Sequence, residues 1–206
     1  MDKHMIITIG RQYGSGGRDI AFSLAEKLGI KCYDKELLSL AAKESGMAEQ
    51  LFETHDEKSA NSFLYSLVMD TYYTGYSTPA FVDMPINQKI FLAQFETIKK
   101  IAETESCVIV GRCADYILEN NPNLTSIFVH APIEYRTKRI AESFNLTAEK
   151  AKDEIIKMDK NRSSYYNYYS SKKWSNVESY NLSVDSGLLG TEKTIDLLEK
   201  FIKIRY

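Results

Sequence analysis

Ile6-Ile7-Thr8-Ile9-Gly10-Arg11-Gln12-Tyr13-Gly14-Ser15-Gly16-Gly17-Arg18-Asp19-Ile20 is the stretch on which the fold of this chain turns. An apolar β-branched run breaks into glycines, and the amphipathic segment Ile20-Ala21-Phe22-Ser23-Leu24-Ala25-Glu26-Lys27-Leu28 follows at once. The pattern predicts strand, glycine-rich turn and helix. In such a turn, successive backbone N–H groups converge on an anion and the helix N-terminus adds partial positive charge. Phosphate is the expected guest, cradled by Gly14, Ser15, Gly16 and Gly17. A P-loop closes on Gly-Lys-[Ser/Thr], whereas here Gly16 is followed by Gly17 and Arg18. Arg18 is then the nearest cation, either standing in for the lysine or facing solvent.

Outward from this loop, short apolar runs alternate with helical periodicity, as in a parallel sheet covered on both faces. Strands are expected near 6–9, 31–33, 107–110, 126–130 and 181–184, with helices near 20–28, 36–44, 133–142 and 192–204. The interval between Tyr33 and Cys107 is too long for one crossover. It holds two helix-like stretches, 62–69 and 86–103, around a loop at 72–79. An insertion there suits a substrate-closing subdomain above the sheet's C-terminal edge, or a plain helical decoration. From 147 to 169 the pattern is helical, charged and then strongly aromatic.

The chain has 206 residues, 44% of them hydrophobic, and a formal net charge of −2. That is enough for one sizeable core, and it gives no sign of a nucleic-acid binder. No apolar run approaches the ~20 residues of a membrane span, and Met1-Asp2-Lys3-His4 runs straight into the first strand, so no secretory signal is expected. Cys32, Cys107 and Cys113 lack metal-ligand spacing and read as buried free thiols of a cytoplasmic protein.

Several charged residues fall at strand ends, where open α/β sheets bind ligands. Arg112 follows Val108-Ile109-Val110-Gly111 and is expected in that crevice. Asp34 holds the matching place after the second strand, as a water-mediated Mg²⁺ ligand, an orienter of a substrate hydroxyl, or an ordinary helix N-cap. Asp159 and Arg162 share one helix face and either aim the arginine at a phosphate or brace the helix. Arg136 and Arg139 share the same spacing and suit the neutralisation of a transferring phosphoryl group.

With these features in hand, the chain resembles the cytidylate kinase-like family, P-loop proteins related to bacterial nucleoside monophosphate kinases. The resemblance rests on Arg11-Gln12-Tyr13-Gly14-Ser15-Gly16-Gly17-Arg18, Tyr33-Asp34-Lys35-Glu36-Leu37, Val110-Gly111-Arg112 and Asp159-Lys160-Asn161-Arg162. It extends to Tyr165-Tyr166-Asn167-Tyr168-Tyr169 and Asp185-Ser186-Gly187. It implies a single α/β domain over 1–206, a three-layer P-loop kinase fold with a five-stranded parallel sheet in the order 2-3-1-4-5. It also implies a helical nucleotide-binding insertion at 45–100 and a lid at 144–175. The implied reaction is ATP + (d)CMP to ADP + (d)CDP with Mg²⁺. Arg112 then grips the acceptor's phosphate, Asp159 lies near the acceptor's sugar, and Arg162 is a phosphate-binding lid arginine.

Against bacterial cytidylate kinases the P-loop lysine has become Gly17 and the acid before Gly-Arg has become Val110. The aspartate after that arginine is Cys113, and a base-contacting serine is Lys35. An acceptor-phosphate arginine is Leu40, and a lid arginine is Ile155. Each loss of this kind commonly costs about 2.7–4 kcal/mol of transition-state stabilisation. Two functions therefore fit the sequence: a phosphotransferase, with Lys35 pointing to an acceptor that carries an extra anionic group, or a nucleotide-binding sensor on a kinase scaffold. In the second, the tyrosines of 165–169 either serve a partner interface or simply pack the lid helix.

Overall fold

Ile7 and Ile9 face one way from the first strand and Ile6 and Thr8 the other, and both sides are buried. Two helical layers follow from that alternation. A computed structural model of the chain describes residues 4–57 and 84–206; the expected helix at 62–69 and loop at 72–79 lie outside the described residues. Strands β1 (Ile6–Arg11), β2 (Lys31–Tyr33), β3 (Cys107–Val110), β4 (Leu124–His130) and β5 (Leu182–Asp185) form one sheet in the order β2-β3-β1-β4-β5. Every pairing is parallel.

The described helices are α1 (Gly17–Leu28), α2 (Glu36–Ser45), α3 (Glu49–His55), α4 (Ile86–Thr104), α5 (Ala114–Ile117), α6 (Ile133–Phe144), α7 (Ala148–Ser170), α8 (Ser186–Leu189) and α9 (Thr191–Arg205). Helices α1 and α9 cover one face, packing Ile20, Leu24, Ile195 and Leu198 on Ile7, Val108, Ile127 and Val129. On the other face, Phe91, Phe95 and Ile98 of α4 meet Ile6, Ile109 and Phe128 of the sheet and Tyr165, Tyr166 and Tyr169 of α7.

The tyrosine cluster is therefore packing rather than an exposed interface. Tyr169 stacks on Phe91 with ring centroids 3.9 Å apart, and Tyr165, Tyr166 and Tyr169 are all buried. Helix α7 starts where Thr147 accepts a hydrogen bond from the Lys150 N–H and satisfies one of its orphan donors.

Strand β1 runs two residues beyond the expected end because Gly10 and Arg11 still pair with Phe128 and Val129 of β4. A glycine read as punctuation is here held in the ladder. β1 sits between β3, which is reached from β2, and β4, which begins the opposite half of the sheet. The loop after β1 thus opens at the topological switch point, where a crevice forms.

Candidate active site

The loop between β1 and α1 is built by two left-handed glycines. Gly14 has φ +81° and Gly16 has φ +78°, values that L side chains reach only at a cost of about 1–2 kcal/mol. Gly14 also lies against α6: a Cβ there would come within 3.0 Å of Ile140 and 3.1 Å of Arg136. Ser15 Oγ donates to the Gln12 carbonyl at 2.8 Å. The Ser186 hydroxyl lies within hydrogen-bonding distance of the Ser15 carbonyl (2.6 Å) and the His130 carbonyl (3.0 Å), tying the loop to the ends of β4 and β5. Gly16 offers no side-chain cap at the start of α1, and the Gly17 N–H is taken by Ser15 Oγ at 3.3 Å; the glycine loop and the helix N-terminus together form a cradle suited to an anion such as phosphate.

Asp159 reaches this loop from α7. Its two oxygens accept from the Tyr13 N–H (2.8 Å) and from Arg136 (2.5 Å), and Arg136 also donates to the Tyr13 and Ala131 carbonyls. Asp159 is therefore a clamp between α7, α6 and the loop, and its ion-pair partner is Arg136 rather than Arg162. Arg139 leans over the loop mouth: a Cβ on Gly16 would meet its guanidinium carbon at 3.4 Å, while its Nη2 pairs with Asp19 at 2.5 Å.

Of the two courses open to Arg18, standing in for the lysine or facing solvent, its side chain takes the outer one in this arrangement. Its Nε donates to Asp34 at 2.6 Å, its guanidinium lies over the Phe22 ring, and its side chain is 55% exposed. Asp34 is no N-cap, because α2 has no side-chain cap; its second oxygen accepts from Arg112 at 3.2 Å. Burial works against the Asp34 carboxylate, but the Arg18 hydrogen bond and the Arg112 charge outweigh it and hold the carboxyl below its ordinary range. With both oxygens committed to guanidinium groups, Asp34 does not fit an Mg²⁺ ligand in this arrangement. Among the described residues, no group of three or more His, Cys, Asp or Glu side chains is arranged to hold a metal ion. Lys35 is exposed at the start of α2.

Arg112 lies at the centre of the crevice, fully buried. Gly111, Arg112 and Cys113 all have positive φ, and this run turns the arginine back under the strand ends. It donates to both oxygens of Asp56, at 3.0 and 2.9 Å, to Asp34 and to the Val110 carbonyl. Beside it, Glu57 accepts from Arg11 at 2.5 Å and from Arg162 at 3.0 Å. Burial alone would raise both acids. The charges of Arg11, Arg162 and Arg112 hold Glu57 far below the carboxylate range, while Asp56 stays raised by its burial. A cavity of ≈ 20 Å³ remains among Gly10, Gly111, Arg162, Tyr166 and Tyr180. Asp115, a buried carboxyl raised by desolvation, lines it and accepts from the Tyr166 hydroxyl at 2.7 Å.

The crevice brings together Arg112 and Arg162, which the sequence patterns single out, with Arg11, Asp56, Glu57 and Asp115, which they do not. Arg11 stands on the strand end itself. Asp56 and Glu57 follow α3 directly, and Glu57 meets Arg11 and Arg112 across 46 and 55 residues of sequence, a separation no local pattern reports.

A parallel 2-3-1-4-5 sheet with a glycine loop between β1 and α1 defines a P-loop kinase fold. Solved structures of the same shape agree: a shikimate kinase from Bacteroides thetaiotaomicron superposes with a TM-score of 0.55 at 13% identity, over 97% of this chain and 98% of its own. An uncharacterized protein from Eubacterium ventriosum superposes at 0.72 with 33% identity, over 98% and 99%. Residues 6–188 match the model of the cytidylate kinase-like family, and the chain belongs to it. Proteins named cytidylate kinase from Methanococcus vannielii and Methanocaldococcus jannaschii are each 26% identical. They cover 97% and 96% of this chain and 100% and 97% of their own lengths.

Proposed function

We propose that this chain is a phosphotransferase that moves the γ-phosphoryl group of ATP to (d)CMP or a related phosphorylated acceptor. The observation that carries this reading is the convergence of Arg11, Arg112 and Arg162 on the adjacent carboxylates of Asp56 and Glu57 beside the glycine loop. Phosphoryl transfer asks a protein mainly for positioning and for cations where charge is redistributed. In this reading the donor's phosphates lie on Gly14, Ser15, Gly16 and Gly17 and on the open end of α1. Arg139 is free to swing from its exposed partner Asp19 onto them, with Arg136 fixing the loop. Arg112 and Arg162 take the acceptor's phosphate, and Asp159, by holding the loop to α7, keeps donor and lid in register. Mg²⁺ belongs to the nucleotide as substrate and supplies charge neutralisation there. Lys35, exposed at the mouth, favours an acceptor with a further anionic group.

In domain terms, 45–100 serves as the acceptor-binding insertion and 144–175 as the lid. Among the described residues no helix is long and apolar enough to cross a membrane. The three free cysteines, their thiols all raised by burial, suit a reducing cytoplasmic setting.

The test is ADP formation from ATP and Mg²⁺ across a panel of nucleoside monophosphates and doubly anionic acceptors. Turnover that depends on one acceptor is expected. ATP binding with no acceptor-dependent turnover would replace this reading with that of a nucleotide sensor, which the glycine at position 17 favours.

A further inference from the structure

The P-loop pattern runs Gly-x-x-x-x-Gly-Lys. With Gly16 as its second glycine, the first glycine falls on Arg11 and the lysine on Gly17. Both positions are exchanged in this chain: the cation stands where a glycine belongs, and the glycine where a cation belongs.

The structure supplies the physical link between the two. A Cβ on Gly17 would lie 2.6 Å from Arg11 Cβ and 3.3 Å from both Arg11 Cγ and Val129 Cβ. Positions 11 and 17 therefore share one volume that a single side chain fills. The Arg11 stem occupies it. From there the guanidinium passes under Gly111, where an added Cβ would meet Arg11 Nη1 at 1.9 Å. It ends on Glu57 at 2.5 Å, with Arg162 donating to the Arg11 carbonyl at 3.3 Å.

We infer that Arg11 replaces the missing lysine and contacts the transferring phosphoryl group, reaching it from the end of β1 instead of from α1. This rests on the reading that ATP binds the glycine loop. Three observations converge on it: the steric exclusivity of positions 11 and 17, a guanidinium, its side chain only 11% exposed, that passes from the loop under Gly111 to a carboxylate shared with Arg162, and the anion it already holds. Glu57 occupies Arg11 and Arg162 with a carboxylate, the kind of group that a phosphoryl oxygen pair displaces. A guanidinium also offers paired donors where a lysine offers a point charge. In the step itself, the bond from the γ-phosphorus to the ADP oxygen breaks as one to an acceptor phosphate oxygen forms. That oxygen is already deprotonated, so Arg11 keeps all its protons.

The experiment measures binding of the non-hydrolysable analogue AMP-PNP with Mg²⁺ by calorimetry. It compares the wild type with Arg11→Gly, Arg18→Ala, Gly17→Lys and the exchange Arg11→Gly/Gly17→Lys. Arg11→Gly is expected to weaken binding at least tenfold and Arg18→Ala less than twofold. Gly17→Lys alone should impair binding because two side chains then compete for one volume. The exchange should recover most of what Arg11→Gly loses, and an exchange with methionine in place of lysine, Arg11→Gly/Gly17→Met, which refills the shared volume without a charge, should not. Arg11→Gln, which keeps the Cβ–Cγ stem against Gly17 but carries no charge, covers the case in which Arg11→Gly does not fold, and it too should lose at least tenfold. Wild-type affinity in Arg11→Gly or Arg11→Gln, or an exchange variant no tighter than Arg11→Gly, overturns the inference alone. A wild-type protein that binds no AMP-PNP overturns it together with the kinase reading.

Discussion

At the scale of single residues, the crevice is a set of cations, one buried and two half-buried, balanced by acids from distant parts of the chain. Arg112 meets Asp34 and Asp56, while Arg11 and Arg162 share Glu57. Buried pairs of this kind add little net stability, but removing one partner strands a charge at about 3–5 kcal/mol. Such a network gives the site a pH signature. Glu57 titrates below its ordinary range in the folded protein, so in the unfolded chain it binds protons at higher pH than in the native one. Its contribution is therefore complete above the ordinary glutamate range of about 4.3 and drains as pH falls toward its lowered folded value. Glu57→Gln should flatten the acid limb of the stability curve between about pH 5 and 2, as read by urea denaturation at a series of pH values. A limb as steep as that of the wild type would mean that Glu57 is not held as described.

Whole elements are locked to the loop by single side chains. Helix α7 carries Asp159 to the Tyr13 N–H and to Arg136 of α6, while α8 brings Ser186 to the Ser15 carbonyl. The glycine loop is thus positioned from both sides by helices remote in sequence. Asp159→Asn keeps one acceptor for the Tyr13 N–H but loses the charge that holds Arg136. If the loop holds ATP, this variant should raise the KM for ATP about three- to tenfold while leaving the KM for the acceptor within twofold, as read from initial rates. A rise in the acceptor's KM alone would instead place Asp159 at the acceptor's sugar, as the family resemblance implies. The spacing of Asp159 and Arg162 correctly put both on one helix face. It did not reveal that Asp159 reaches across to α6 and the loop while Arg162 turns to Glu57, because periodicity fixes a face and not the neighbour that face will meet.

For the molecule as a whole, stability rests on two apolar layers, and the aromatic one joins α4 and α7 across the sheet. Tyr169, stacked on Phe91 and almost wholly buried, is its keystone. Tyr169→Ala should cost about 3–5 kcal/mol in urea denaturation, and Tyr169→Phe much less, since only the hydrogen bond to the Asn87 carbonyl is lost. A small loss in Tyr169→Ala would detach the aromatic cluster from the core. Local pattern settles the elements: β-branched runs and 3.6-residue periodicity set the strands and helices, and left-handed glycines set the loop that opens an anion cradle. These signals are carried by neighbours along the chain, so they survive without a fold. The exchange of Arg11 and Gly17 was equally present in the sequence, but its meaning waited for the 2.6 Å approach that makes the two positions one volume. Which acid meets which arginine is a matter of tertiary packing. Charge pairing across 46 to 105 residues is chosen by how the layers pack and leaves no trace in local pattern.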